Sequence, residues 1–151
     1  MFLQLALSSL LWATAASAIA LGLSLIVLWW LGLPLRKLAA EIADVQNTAV
    51  GALFFIISLI TSIFVGVLAG GVPTLSANGL EEAAWTVGGV VVASLYMIVA
   101  FWIAHREMGP KGESLQQWIH REIIVEQNAA LAFFLGALAV PPFIAVLYQI
   151  I

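Results

Sequence analysis

Four stretches of this sequence are long, apolar and free of charge inside: about Ser9 to Leu33, Thr48 to Gly70, Ala84 to Ala104 and Ala129 to Tyr148. They constrain the fold more than any other feature. About 20 mostly apolar residues are enough for a helix to cross the ~30 Å hydrocarbon layer of a bilayer. In lipid, every backbone polar group must be paired within the protein, which leaves helices and closed barrels. Barrel strands alternate over about 10 residues, whereas these runs are continuous, so helices are expected. Composition agrees: 64% of the 151 residues are apolar and only 9% charged, against about 25% charged in a soluble domain. The expected fold class is all-α: a polytopic membrane protein with four transmembrane helices in a single membrane domain, residues 1–151.

The same composition excludes several functions. The net charge is −3 with five basic residues, which leaves no electrostatic footprint for nucleic acid. There are no cysteines, hence no disulfides and no thiol chemistry. His105 and His120 are the only histidines; a structural zinc site needs four ligands, so no metal or other cofactor is implied. The run "ATAASA" at 13–18 has the small residues of a leader cleavage site. No Lys or Arg precedes it, so the first span reads as a retained transmembrane helix.

Orientation follows from the basic residues. Arg36 and Lys37 follow span one, and Arg106, Lys111 and Arg121 lie between spans three and four. Segment 71–83 has none and carries Glu81 and Glu82. The positive-inside rule then places 34–47 and 105–128 in the cytoplasm and both termini outside it. Trp12, Trp29, Trp30, Trp85, Trp102 and Trp118 fall near span ends or in the second polar segment, as an aromatic belt at headgroup level requires.

The polar segments repeat. "EIADVQNTAVGALFF" at 41–55 and "EIIVEQNAALAFFLG" at 122–136 share Glu, Ile, Gln, Asn and Ala at an offset of 81 residues. Each half, about 9–70 and about 84–151, is a span, a polar segment and a second span. Two spans per half make the repeat parallel, related by an axis along the membrane normal. The second half carries a turn-rich insert, "MGPKGES" at 108–114. Neither polar segment has a Gly or Pro between Leu35 and Asn47 or from Glu113 up to Gly136, and Leu115, Trp118, Ile119 and Ile123 share one helical face. Short cytoplasmic interfacial helices are therefore expected; they either run unbroken into the spans or bend near Asn47 and Asn128, and the change in direction of the apolar face there favours the bend.

The doubled "QNTAVGALFF" and "QNAALAFFLG", in a four-span chain of this size, resemble the bacterial membrane family catalogued as domain of unknown function 350. The resemblance runs from about Pro34 to the C-terminus, and includes span one by position. Asn47, Ala49, Asn128, Ala130 and Gly136 sit where that family's pattern places Asn, Ala and Gly. The first half departs, with "FFII" at 54–57 in place of the usual Gly. The resemblance implies a bacterial inner-membrane location and two similar halves, and no established activity.

The candidate site is the paired polar motif at the cytoplasmic interface: Glu41, Asp44, Gln46 and Asn47, then Glu122, Glu126, Gln127 and Asn128. Asn is a good N-cap for a span, and within the membrane it also hydrogen-bonds between helices. Four carboxylates on one side have the charge for a cation site or a raised-pKa proton site. The favoured reading is a solvated acidic rim near helix N-termini, where acids are stabilised. Small residues at four-residue spacing mark helix packing: Ala16 and Ala20, Gly89 and Ala93, Ala132 and Gly136. Pro141 and Pro142 kink or shape span four. The expected function is a structural or accessory subunit of the membrane, not an enzyme, packing with itself or with a larger membrane complex. The alternative is an oligomeric small channel or transporter. Ion pathways use intramembrane ionisable groups or polar pores, and the spans offer only hydroxyls such as Ser58, Thr61, Ser62, Thr86 and Ser94.

Overall fold

The computed structural model describes residues 2–69 and 79–150. They form six α-helices and one π-helical turn: α1 (Phe2–Trp30), α2 (Leu35–Ala43), α3 (Thr48–Ala69), α4 (Gly79–Met108), α5 (Leu115–His120), the π turn (Arg121–Val125) and α6 (Ala129–Ile150). Four of them, α1, α3, α4 and α6, are long and apolar enough to cross a membrane. The chain is all-helical, a multi-pass membrane protein by these four helices. Helices α3 and α6 have 22 residues each, about 33 Å at 1.5 Å per residue, which matches the hydrocarbon layer. Helices α1 and α4, with 29 and 30 residues, reach about 45 Å, long enough to include the headgroup regions. The second end of span two at Gly70 lies outside the described residues.

The helix ends follow local chemistry. Helix α1 stops where Gly32 turns left-handed at φ +87° and the Leu33 N–H returns to the Leu28 carbonyl at 2.9 Å. This is a Schellman ending, in which Gly accepts the positive φ without a Cβ clash. Pro34 follows and opens α2. After α4, Gly112 (φ +94°) redirects the chain. Ser114 then caps α5: its hydroxyl accepts the Gln117 N–H at 3.3 Å while the Gln117 side-chain oxygen accepts the Ser114 N–H at 3.0 Å, a reciprocal capping box.

Helices α3 and α6 pack on each other at the centre, α1 lies on α3, and α4 lies on α6. The core runs between them, with Leu53, Ile57 and Phe64 from α3, Leu135, Ala139 and Phe143 from α6, and Ala93, Met97 and Phe101 from α4. Phe64 and Phe143 meet edge to face at 5.3 Å. Small residues set the closest approaches. Gly136 is buried, and a β-carbon there would lie 2.8 Å from Ile56 Cγ2, so Ile56 fills the space that the missing side chain leaves. Ala20, Ala93 and Ala132 are buried, as is Gly89, and Ala16 is half-buried. Between α1 and α3, the Ser24 and Thr61 hydroxyls lie 2.5 Å apart and buried, each also reaching the backbone four residues earlier. A groove of about 310 Å³ opens beside them, lined by Ala16, Ser17, Ala20, Leu21, Ser62 and Gly66. Helix α6 runs without interruption through Pro141 and Pro142.

The tryptophans divide. Trp29 and Trp102 are exposed, as a lipid-facing belt requires, and Arg106 sits 6.0 Å over the Trp102 ring. Trp118 departs from the belt expected of it: it is only 2% exposed and belongs to the core. Its face of α5 turns inward, against the His105 ring at 5.4 Å. Trp12 and Trp85 have side chains outside the described residues.

Candidate functional site

The two copies of the polar motif adopt the same backbone path. Gln46 (φ +58°) and Gln127 (φ +50°) are both left-handed, an uncommon state for a residue with a Cβ. Each reverses the chain so that the next N–H returns to a helix carbonyl: Asn47 to Glu41 at 2.9 Å and Asn128 to Glu122 at 2.8 Å. The helix therefore breaks at both motifs, where a bend is expected from the sequence. The side chains repeat the pairing. Asn47 Nδ2 donates to Glu41 Oε2 at 3.1 Å, and Asn128 Nδ2 donates to Glu122 Oε2 at 2.9 Å. On its other side each Asn caps a span. Asn47 Oδ1 accepts the N–H groups of Ala49 at 3.0 Å and Val50 at 3.2 Å, and Asn128 Oδ1 accepts that of Leu131 at 3.0 Å. These satisfy donors that a helix N-terminus otherwise leaves open.

The surroundings of the copies differ. Asn47 is buried and donates a further bond across the halves, from Nδ2 to the Ile123 carbonyl at 2.9 Å. The π turn supplies that acceptor: its wider winding takes the Glu126 N–H back to Arg121 at 2.9 Å. Two more ties join the halves at this level. Lys37 Nζ contacts His120 Nε2, and Gln116 Nε2 donates to the Trp30 carbonyl at the end of α1 at 2.9 Å. Asn128 is half-buried and opens onto a groove of about 350 Å³ lined by Met108, Trp118, Glu122, Leu131 and Phe134.

The carboxylates also divide. Asp44 and Glu126 are exposed, as a solvated rim requires. Glu41 is half-buried and the Glu122 side chain is only 14% exposed; both are spent on their Asn partners, so the rim is half internal scaffold. Arg121 gathers three acids, with Nη2 on Glu113 at 3.3 Å, Nη1 on Glu122 at 2.9 Å and Nη1 on Glu126. The hydrogen bonds that the guanidinium donates, to Glu113 first and then to Glu126, push it further up from its ordinary value. Glu41, Asp44, Glu122 and Glu126 do not converge, and among the described residues no group of three His or acidic side chains is placed to hold a metal ion. His105 packs under Gly109, its Nε2 buried and without a hydrogen-bond partner among the described residues.

Several features escaped the sequence reading. The capping box had a visible signal in "SLQQ" at 114–117. The π turn, the Lys37–His120 contact and the Asn47–Ile123 bond had none, because each depends on how the halves pack. No family model, curated protein or solved structure matches the chain.

Proposed function

We propose that the chain is a structural subunit of the bacterial inner membrane, built of two tandem halves and carrying no catalytic chemistry of its own. It packs with itself or with a larger membrane complex. The observation that carries this reading is how the motif polarity is used. In each half the Asn amide and the Glu carboxylate bond to one another, and the Asn oxygen bonds to the start of a span. Groups engaged in this way hold a helix junction in place. The spans support association: only 17% to 39% of each apolar window is buried inside the chain, so much helix surface faces lipid or other protein. The distribution of the basic residues Arg36, Lys37, Arg106, Lys111 and Arg121 supports a cytoplasmic location for the motifs with both termini outside. The resemblance to the domain-of-unknown-function family agrees with that location.

Purification in mild detergent from cells at native expression, followed by mass spectrometry of what co-migrates, tests the reading. Recovery with further copies or with other membrane subunits is expected. A lone monomer would overturn it, and a homo-oligomer that conducts ions in planar bilayers would favour a channel instead.

A further inference from the structure

We propose that a second copy of this chain docks against the first through the same contact that joins its two halves, with α6 of one copy set on α3 of the next. The inference rests on the reading of the halves as repeats in a membrane assembly, and it names the assembly's interface. Three of the contacts that join the halves involve Asn47 and helix α3. Asn47 donates to the Ile123 carbonyl, Ile56 fills the space at Gly136, and Phe64 meets Phe143. At the offset of 81, Asn47, Ile56 and Phe64 correspond to Asn128, Ala137 and Ala145, whereas Ile123, Gly136 and Phe143 correspond to Ile42, Phe55 and Ser62.

If a two-fold axis related the halves, each contact would have a mate made by the exchanged positions. The mates would be Asn128 with Ile42, Ala137 with Phe55, and Ala145 with Ser62. Their residues are open in the chain. Ile42 is 40% and Phe55 63% exposed, Ala137, Ala145 and Ser62 are exposed, and Asn128 is half-buried on its groove. The buried side of the first motif is fully covered, with Ala49 and Leu53 at 0%, whereas their equivalents Ala130 and Phe134 are exposed. The halves are thus joined head to tail. A head-to-tail contact leaves one used face and one unused face at each end, and it continues into a ring or a row.

The two open faces fit each other. Large Ile56 against small Gly136 becomes small Ala137 against large Phe55, again one large side chain opposite one small one. Phe64 against Phe143 becomes Ala145 against Ser62, two small side chains suited to a close helix crossing.

The chain has no cysteine, so disulfide trapping in native membranes is direct. Phe55→Cys and Ala137→Cys chains are expressed alone and together, then oxidised. Both positions are exposed, so each variant is expected to keep the melting temperature of the parent. The expected result is a disulfide between copies only when the two variants are mixed, and a ladder or closed ring when one chain carries both. A disulfide from Phe55→Cys alone shows a face meeting itself and overturns the head-to-tail contact. So does a level of crosslinking no higher than that of paired Val91→Cys and Leu95→Cys on the exposed side of α4. Native mass measurement on the same membranes separates the failures. Several copies, or foreign subunits, without the mixed disulfide remove this interface and leave the subunit reading standing; a lone chain removes both.

Discussion

At the scale of single residues, both Asn side chains cap a span and bond a Glu, but Asn47 accepts two N–H groups where Asn128 accepts one, and only Asn47 adds a bond to the other half. Its replacement should therefore cost more. Losing a helix cap costs about 0.5–2 kcal/mol, and Asn47→Ala also strips the Ile123 carbonyl of a buried partner. Thermal unfolding in detergent should rank Asn47→Ala below Asn128→Ala, and equal losses would show that the cross-half bond contributes nothing. Gln46 and Gln127 give a second test. A left-handed residue with a side chain costs of order 1–3 kcal/mol, which Gly avoids and a β-branched residue aggravates. Gln127→Gly should hold or raise the melting temperature, and Gln127→Val should lower it. The cap was legible in the sequence, because Asn directly before an apolar run has few better uses. The positive φ was not, since Gln is not the residue that such a turn normally selects.

At the scale of elements, the contact of α3 with α6 turns on Ile56 and Gly136. A side chain on Gly136 must displace Ile56, so Gly136→Val should destabilise the bundle by about 1–3 kcal/mol, the usual cost of overpacking. Adding Ile56→Ala should restore part of that loss, and a double-mutant cycle read by unfolding measures the coupling. Additive losses would place the clash elsewhere. The hydroxyl pair between α1 and α3 should matter little. Hydrogen bonds between membrane helices average about 0.6 kcal/mol, so Ser24→Ala should cost on that order and leave the helix contact intact. The spans themselves were readable almost to the residue at α3 and α6, because an apolar run of the right length in lipid has only one secondary structure open to it. Trp118 shows where that reasoning stops. Its place in the sequence fits a headgroup belt, yet the face of α5 that carries it turns toward His105 and away from lipid.

At the scale of the whole molecule, the proposed orientation has its own test. With Asp44 and Glu126 both exposed, Asp44→Cys and Glu126→Cys should react with an impermeant thiol reagent only in inverted membrane vesicles. Labelling of intact spheroplasts would reverse the topology. The sequence alone determined the class of protein, the number of spans, the Asn positions suited to cap α3 and α6, and the doubled motif. Length and hydropathy against a layer of fixed thickness leave no other solution, and a cap is a local matter. Only the tertiary structure decided which motif is buried and which opens onto a groove, and that Glu41 and Glu122 are bound inward while Asp44 and Glu126 face out. Those outcomes depend on the rotation of α3 and α6 about their axes. That rotation is set where a side chain on one helix finds a gap on the other, as Ile56 does at Gly136, and two repeats alike in pattern but different in side-chain volume settle it differently.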